Sequence, residues 1–243
     1  MDPKDEHKTV TPAVSKPDLY LTFDDGPYPS TEAILDILKA QQVPAAFFLC
    51  SASNGVSKES QYKAAKKVVE HHHILGNHGD DHYPASRRDY LAEKNKGDPQ
   101  KDFRENREDF DALFKTHQDT FPGFRAARLP GDGRFIDSIV QGIVAQEKVP
   151  HFGWHMEFAP NKTFGHVNFQ DWQGISGVSS SHAKIPHTQC IVLMHDSHWR
   201  GEKLKGFEAL IRKLKEQANL LPLPLTPPAN ASKVFLSQYT PAP

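Results

Sequence analysis

The sequence predicts a single α/β domain built on a parallel sheet, or on a barrel closed by one. Three observations lead there. Short apolar segments alternate with amphipathic helical segments across residues 19–218, as expected of strands joined by crossover helices. Hydrophobic residues make up 37% and charged residues 24% of 243 positions, enough for one globular core of catalytic size and too apolar for a disordered chain. Reactive polar clusters fall where strands end, and parallel α/β folds carry their chemistry there. A mean hydropathy of -0.60 adds polar loops or a wet surface.

Residues 19–23 (LYLTF) form a strand by composition. Residues 31–41 follow as a helix, with Ala33, Ile34, Ile37 and Leu38 on one stripe. Residues 45–50 (AAFFLC) read as a buried strand, 57–71 as an amphipathic helix N-capped by Ser57, and 74–77 as a short strand. The alternation continues with a helix at 102–115, a strand at 124–129 and a helix at 135–146. Strands at 150–154 and 190–194 (CIVLM) precede a long helix at 202–218. Residues 157–189 have little periodicity and are expected to be a long loop at the rim of a site. Residues 1–18 form an extended lead-in, 19–220 the catalytic domain, and 221–243 a Pro-rich arm that packs along it, with an edge strand at 234–236.

Charge and cysteine exclude some functions. Lys plus Arg number 29 against 30 Asp plus Glu, so nothing favours a nucleic acid or an anionic membrane as partner. No apolar run is long enough for a membrane span. The segment Met1-Asp2-Pro3-Lys4-Asp5-Glu6 lacks the apolar core of a signal peptide, so the protein is expected to be cytosolic or to have lost a leader. Cys50 and Cys190 fall at opposite ends of neighbouring strands, too far apart to bridge, and say nothing of compartment.

After the first strand stands Thr22-Phe23-Asp24-Asp25-Gly26-Pro27. Adjacent carboxylates repel unless a cation or an Arg lies between them; the alternative is a solvated Asp-Gly turn. After the third strand, Asn77-His78-Gly79-Asp80-Asp81-His82 sets two imidazoles four residues apart, close enough to share a divalent cation. With 14 histidines such spacing also arises by chance, and His151 and His155 repeat it. The first pair is favoured by its place at a strand end beside carboxylates. His71-His72-His73 reads as an exposed helix end, and His166, His182 and His187 as solvated loop residues.

TFDDGP, the His78/His82 pair, Arg128-Leu129-Pro130, Asp171-Trp172 and Leu193-Met194-His195 follow one another in chain order. In that order they resemble the five motif regions of the metal-dependent polysaccharide deacetylases, the family-four carbohydrate esterases. The resemblance spans residues 19–218 and implies a distorted parallel (β/α) barrel. It implies that Asp24 is the catalytic base and that Asp25, His78 and His82 bind one divalent metal ion, zinc first, with cobalt, nickel or manganese as alternatives. It further implies that Arg128 orients Asp24, that Asp171 orients and charges His195, that His195 is the general acid, and that the Gly131 backbone N–H and Trp172 contact substrate.

Three departures stand out. Gly79 replaces the usual Ser or Thr, removing a hydroxyl that braces the histidine loop. No aromatic follows Pro130, which opens one wall of a sugar groove. The second aromatic often found after Asp171-Trp172 is missing. Asp196 and His198, at the end of the last strand, stay outside the catalytic set as a cap or supporting groups.

The expected function is removal of N-acetyl groups from a GlcNAc-type glycan, peptidoglycan or chitin-like, at an extracellular or periplasmic location. The alternatives are an amidase or imidase, an O-acetyl esterase, or an inactive carbohydrate-binding relative.

Overall fold

The computed structural model describes residues 16–52, 55–82, 98–131, 137–158 and 189–243. In chain order the elements are β1 (Asp18–Gly26), α1 (Thr31–Ala40), β2 (Ala45–Leu49), α2 (Lys58–Glu70), β3 (Ile74–Asn77), α3 (Pro99–Thr116), β4 (Ala126–Ala127), α4 (Asp137–Glu147), β5 (His151–Phe152) and β6 (Met156–Glu157). They continue with β7 (Gln189–His195), a 3-10 turn (Asp196–His198), α5 (Lys203–Gln217), β8 (Asn219–Leu220), α6 (Lys233–Leu236) and β9 (Tyr239–Thr240).

The strands run β6-β7-β1-β2-β3-β4-β5-β9, all neighbours parallel except β5 and β9. The short stretch from His151 to Glu157 curls this sheet into a distorted (β/α) barrel: its start pairs with β4 through Ala127, its end with β7 through Val192 and Leu193. Outside the sheet, α1, α2, α3 and α5 bury Ile34, Leu35, Val68, Phe110, Phe207 and Leu210 against Leu19, Leu21 and Phe23.

β1 shows how two-residue periodicity sorts function from core. Tyr20, Thr22 and Asp24 climb one face of the strand. Tyr20 packs with Ala46, Phe48, Ile74 and Ile191, sealed by Leu223 and Phe235 of the C-terminal arm. One step up, the Thr22 hydroxyl donates to the Val192 carbonyl at 2.7 Å. Asp24 then stands level with His195 across the β1–β7 pairing.

Local chemistry explains the boundaries. Ser57 caps α2 by accepting the Ser60 N–H at 3.2 Å. α3 begins at Pro99, earlier than the stripe indicates, because the Asp98 carboxylate accepts the Gln100 and Lys101 N–H groups and a proline fits the first turn. The edge strand expected at 234–236 is instead part of α6, which starts where the Ser232 hydroxyl accepts the Phe235 N–H. The arm reaches the sheet edge later, as β9, antiparallel to β5. Met156–Glu157, read at its end as the start of the long loop, is a strand. Cys50 and Cys190 are both buried and not joined to each other, with β1 between their strands. No described helix is long and apolar enough to cross a membrane.

Candidate metal and catalytic site

The two carboxylates share one mouth because β1 bulges. The β1–β2 register passes from Phe23↔Phe47 to Gly26↔Leu49, so β1 carries one residue more than its partner, and Asp25 takes a left-handed φ of 67°. A bulge re-aims side chains that would otherwise alternate across the sheet. Asp24 is buried, whereas Asp25 keeps a quarter of its side chain exposed.

Asp25 Oδ1 lies 3.2 Å from His78 Nε2 and 3.1 Å from His82 Nε2. Ligands around a tetrahedral zinc stand about 3.4 Å apart, given metal–ligand bonds near 2.0–2.1 Å. Both Asp25 edges of the trio therefore already have the spacing of one coordination sphere, and the three ligand atoms lie within 4.8 Å of one another. His78 Nδ1 donates to the Arg128 carbonyl at 2.7 Å, which fixes the ring's orientation and turns Nε2 toward Asp25, free to become a ligand nitrogen once its proton is displaced. Burial works against the Asp25 charge. Hydrogen bonding from His78 and His82, and the positive character of His78 and His195, outweigh it and hold the carboxyl well below the usual range. For His82, burial is outweighed in turn by the bond to Asp25 and the nearby carboxylates, and its imidazole is raised.

The histidine loop has a brace. Asn77 Oδ1 accepts the Gly79 N–H at 3.0 Å and an Asn106 Nδ2 hydrogen at 2.7 Å, while Asn77 Nδ2 donates to the Phe103 carbonyl. Asp102 on α3 accepts the Asp81 N–H through Oδ1 at 3.1 Å, and its Oδ2 occupies the space where a Cβ on Gly79 would stand. The hydroxyl expected from a Ser or Thr at 79 is thus replaced by a carboxylate from the neighbouring helix. Burial, with Asp81 close by, pushes the Asp102 carboxyl up to about 7.

Arg128 is fully buried, and all three of its side-chain nitrogens donate. Its Nη1 donates to Asp24 Oδ1 at 2.8 Å and to the Thr22 hydroxyl at 2.7 Å; Nε and Nη2 donate to the Phe152 and Gly153 carbonyls. The guanidinium lies 4.3 Å from the Phe48 ring centroid. Pinned at Oδ1, Asp24 presents Oδ2 at 3.6 Å from His78 Nε2. Gly131 follows three residues later with φ 62°.

His195 approaches from the other side of the mouth, Nε2 3.7 Å from Asp25 Oδ2 and Nδ1 3.5 Å from Glu157 Oε1. Nδ1 is buried and makes no hydrogen bond among the described residues. Asp171 and Trp172 lie outside the described residues, as do residues 159–188 of the expected rim loop and its three histidines. Sequence reasoning missed Glu157. Its signal was an acid between Met156 and Phe158, in a strand too short to show a period. His151 and His155 do not converge as a second metal pair: His151 Nε2 accepts the Leu129 N–H, and His155 Nδ1 accepts the Ile191 N–H.

The model of the polysaccharide deacetylase family matches residues 11–135, just over half of the chain. The chain belongs to the polysaccharide deacetylase family. Among curated relatives of this deacetylase-family chain, a chitooligosaccharide deacetylase of Rhizobium leguminosarum bv. phaseoli is 46% identical over 65 residues, 26% of this chain and 27% of the relative. The putative polysaccharide deacetylase YheN of Bacillus subtilis (strain 168) is 42% identical over 64 residues, 26% and 21% of the two chains. These alignments span about a quarter of the relatives' length. Among solved structures, the catalytic domain of peptidoglycan N-acetylglucosamine deacetylase from Eubacterium rectale ATCC 33656 superposes with a TM-score of 0.57 at 18% identity, covering 93% of this chain and 96% of that one. A family 4 carbohydrate esterase from Streptomyces lividans in complex with acetate gives 0.52 at 17% identity over 87% and 94%. At these identities the likeness establishes the barrel.

Proposed function

We propose that this member of the polysaccharide deacetylase family is a metal-dependent hydrolase that removes N-acetyl groups from a GlcNAc-type glycan, peptidoglycan or a chitin-like polymer. The observation that carries the reading is convergence in one mouth: the Asp25/His78/His82 trio, Asp24 Oδ2 3.6 Å from His78 Nε2, and His195 Nε2 3.7 Å from Asp25 Oδ2. Two imidazoles and a carboxylate suit zinc best, then cobalt, nickel or manganese. A divalent ion held there polarises the acyl oxygen and acidifies water.

The chain's own residues do the rest. Asp24, anchored by Arg128 at one oxygen, takes the proton of the attacking water with the other. His195 carries a proton to the departing nitrogen, which an amide cannot release unprotonated. Glu157 lies 3.5 Å from Nδ1, on the side of the ring away from Asp25, where its charge can act on His195. Asp171, Trp172 and the Gly131 N–H keep the roles that the family resemblance implies. The glycan class is supported by relatives named chitooligosaccharide deacetylase and a structural neighbour named peptidoglycan N-acetylglucosamine deacetylase. A cell-wall polymer as substrate would place the reaction outside the cytoplasm.

The test is acetate release by zinc-loaded protein from N-acetylglucosamine oligomers, peptidoglycan and acetyl xylan. Acetate from the N-acetylated glycans is expected. Release from acetyl xylan alone, or from none of the three, overturns the reading.

A further inference from the structure

His198 belongs to no step above, yet it stands beside one. The 3-10 turn Asp196–His198 follows directly on His195 and folds His198 back, so the two imidazole centroids lie 5.0 Å apart at 53°. Glu157 Oε1 lies 3.5 Å from His195 Nδ1. One potential ligand atom from each of Glu157, His195 and His198 lies within 4.8 Å of the other two, and all three residues are partly exposed. Two imidazoles and a carboxylate are the same donor set as the Asp25/His78/His82 trio, on the far side of the His195 ring.

We propose that Glu157, His195 and His198 form a second, weaker site for a divalent transition-metal ion, and that filling it inhibits the enzyme. The Glu157–His195 edge is already close to the tetrahedral spacing of about 3.4 Å that zinc requires. His198 closes the third corner by drawing in by about 1.4 Å at most, from the 4.8 Å limit to that spacing. The partial exposure of the three residues and the charge of an ion in the first site both work against tight binding. The second ion therefore binds after the first.

Inhibition follows from where the ligand protons are. His195 acts as an acid only as an imidazolium carrying protons on both nitrogens. An ion at Nδ1 displaces that proton to solvent and leaves a neutral ring with one N–H at Nε2. Such a ring is a far weaker acid, so proton delivery to the leaving nitrogen stops. Glu157, which otherwise faces the Nδ1 proton, becomes a metal ligand. His198 is then the residue that makes the catalytic mouth sensitive to surplus metal without taking part in the reaction.

The inhibition half of this inference rests on the hydrolase reading; the binding half does not. The experiment is therefore double. Metal-free protein is titrated with Zn²⁺ by calorimetry, with bound zinc counted by elemental analysis, and acetate release is followed over the same zinc range. Two classes of one ion each are expected, the second weaker by at least about tenfold. His198→Phe, which keeps a ring but no donor, should retain the first class and lose the second. Its acetate release should rise to a plateau and stay there, whereas the wild-type rate rises with the first equivalent and falls with the second. Glu157→Gln supplies a second binding arm if His198→Phe folds poorly, and it too should lose the second class. A single class in wild type, or a second class that survives both substitutions, overturns the site. Two classes with undiminished acetate release at saturation overturn the inhibition. No acetate release at any zinc level sinks the hydrolase reading, while the zinc count still decides the site.

Discussion

The Asp102 carboxylate and Gly79 share one space: Oδ2 of Asp102 stands where any side chain at 79 would begin, while Oδ1 of the same group holds the Asp81 N–H of the histidine loop. Gly79 also has φ 84°, a conformation that costs other residues about 1 kcal/mol or more. Gly79→Ser should therefore push Asp102 off the loop and lower zinc affinity by about 10–100-fold, read by competition with a chelating dye. Asp102→Ala should weaken zinc in the same direction. Affinity unchanged in both variants would show that the brace does not position His78 and His82.

Arg128 and Asp24 form a buried pair whose members are not interchangeable with other charges. Arg128→Met leaves the buried Asp24 carboxylate without its partner and should cost about 3–5 kcal/mol of stability, seen as a lower urea midpoint with an unchanged slope. Arg128→Lys should recover little of it, because one ammonium cannot reach Thr22, Asp24, Phe152 and Gly153 together.

His73 sets an acid limit on stability. Burial, and then the charges of His71 and His72, push its imidazole down to about 4, and Nδ1 accepts the Ala45 N–H at 3.2 Å. The unfolded chain binds this proton near the ordinary value of about 6.5, and the folded chain does not. The contribution is thus complete above about pH 6.5 and is lost as pH falls toward about 4. His73→Gln should give a shallower fall in melting temperature over that window. Parallel curves would assign the acid limit elsewhere.

Two carboxylates compete for the partnership with His195, Glu157 by geometry and Asp171 by motif resemblance. Glu157→Gln keeps the shape and deletes the charge facing Nδ1, so kcat should fall while KM stays near its wild-type value. The same fall in Asp171→Asn, with Glu157→Gln unchanged, would return the role to Asp171.

Much of this was legible in the sequence. Strands with a run of apolar residues, such as 45–50 and 190–194, and helices with a clear stripe declare themselves through periodicity, and four of the five ordered motifs marked residues that meet in the mouth, Asp171-Trp172 lying outside the described residues. Among elements of two to four residues, β3 was legible at 74–77, whereas β6 and α6 were not. β6 hides Glu157 because two residues have no period, and α6 is set by the Ser232 cap rather than by apolar spacing. Adjacent Asp24 and Asp25 suggested a shared mouth, but the bulge that turns them together depends on pairing with β2, which no local pattern records. The loss of a hydroxyl at Gly79 was visible; its replacement by Asp102 was not, because the two meet only through the packing of α3.

The most direct measurement is acetate release from an N-acetylglucosamine pentamer by metal-stripped protein, before and after one equivalent of Zn²⁺, alongside the His78→Ala/His82→Ala double variant. The stripped wild type should be inactive and regain its full rate at one equivalent, and the double variant should stay inactive at the same zinc level. Full activity in stripped protein, or restoration of the double variant by one equivalent, would contradict a catalytic metal site built from Asp25, His78 and His82.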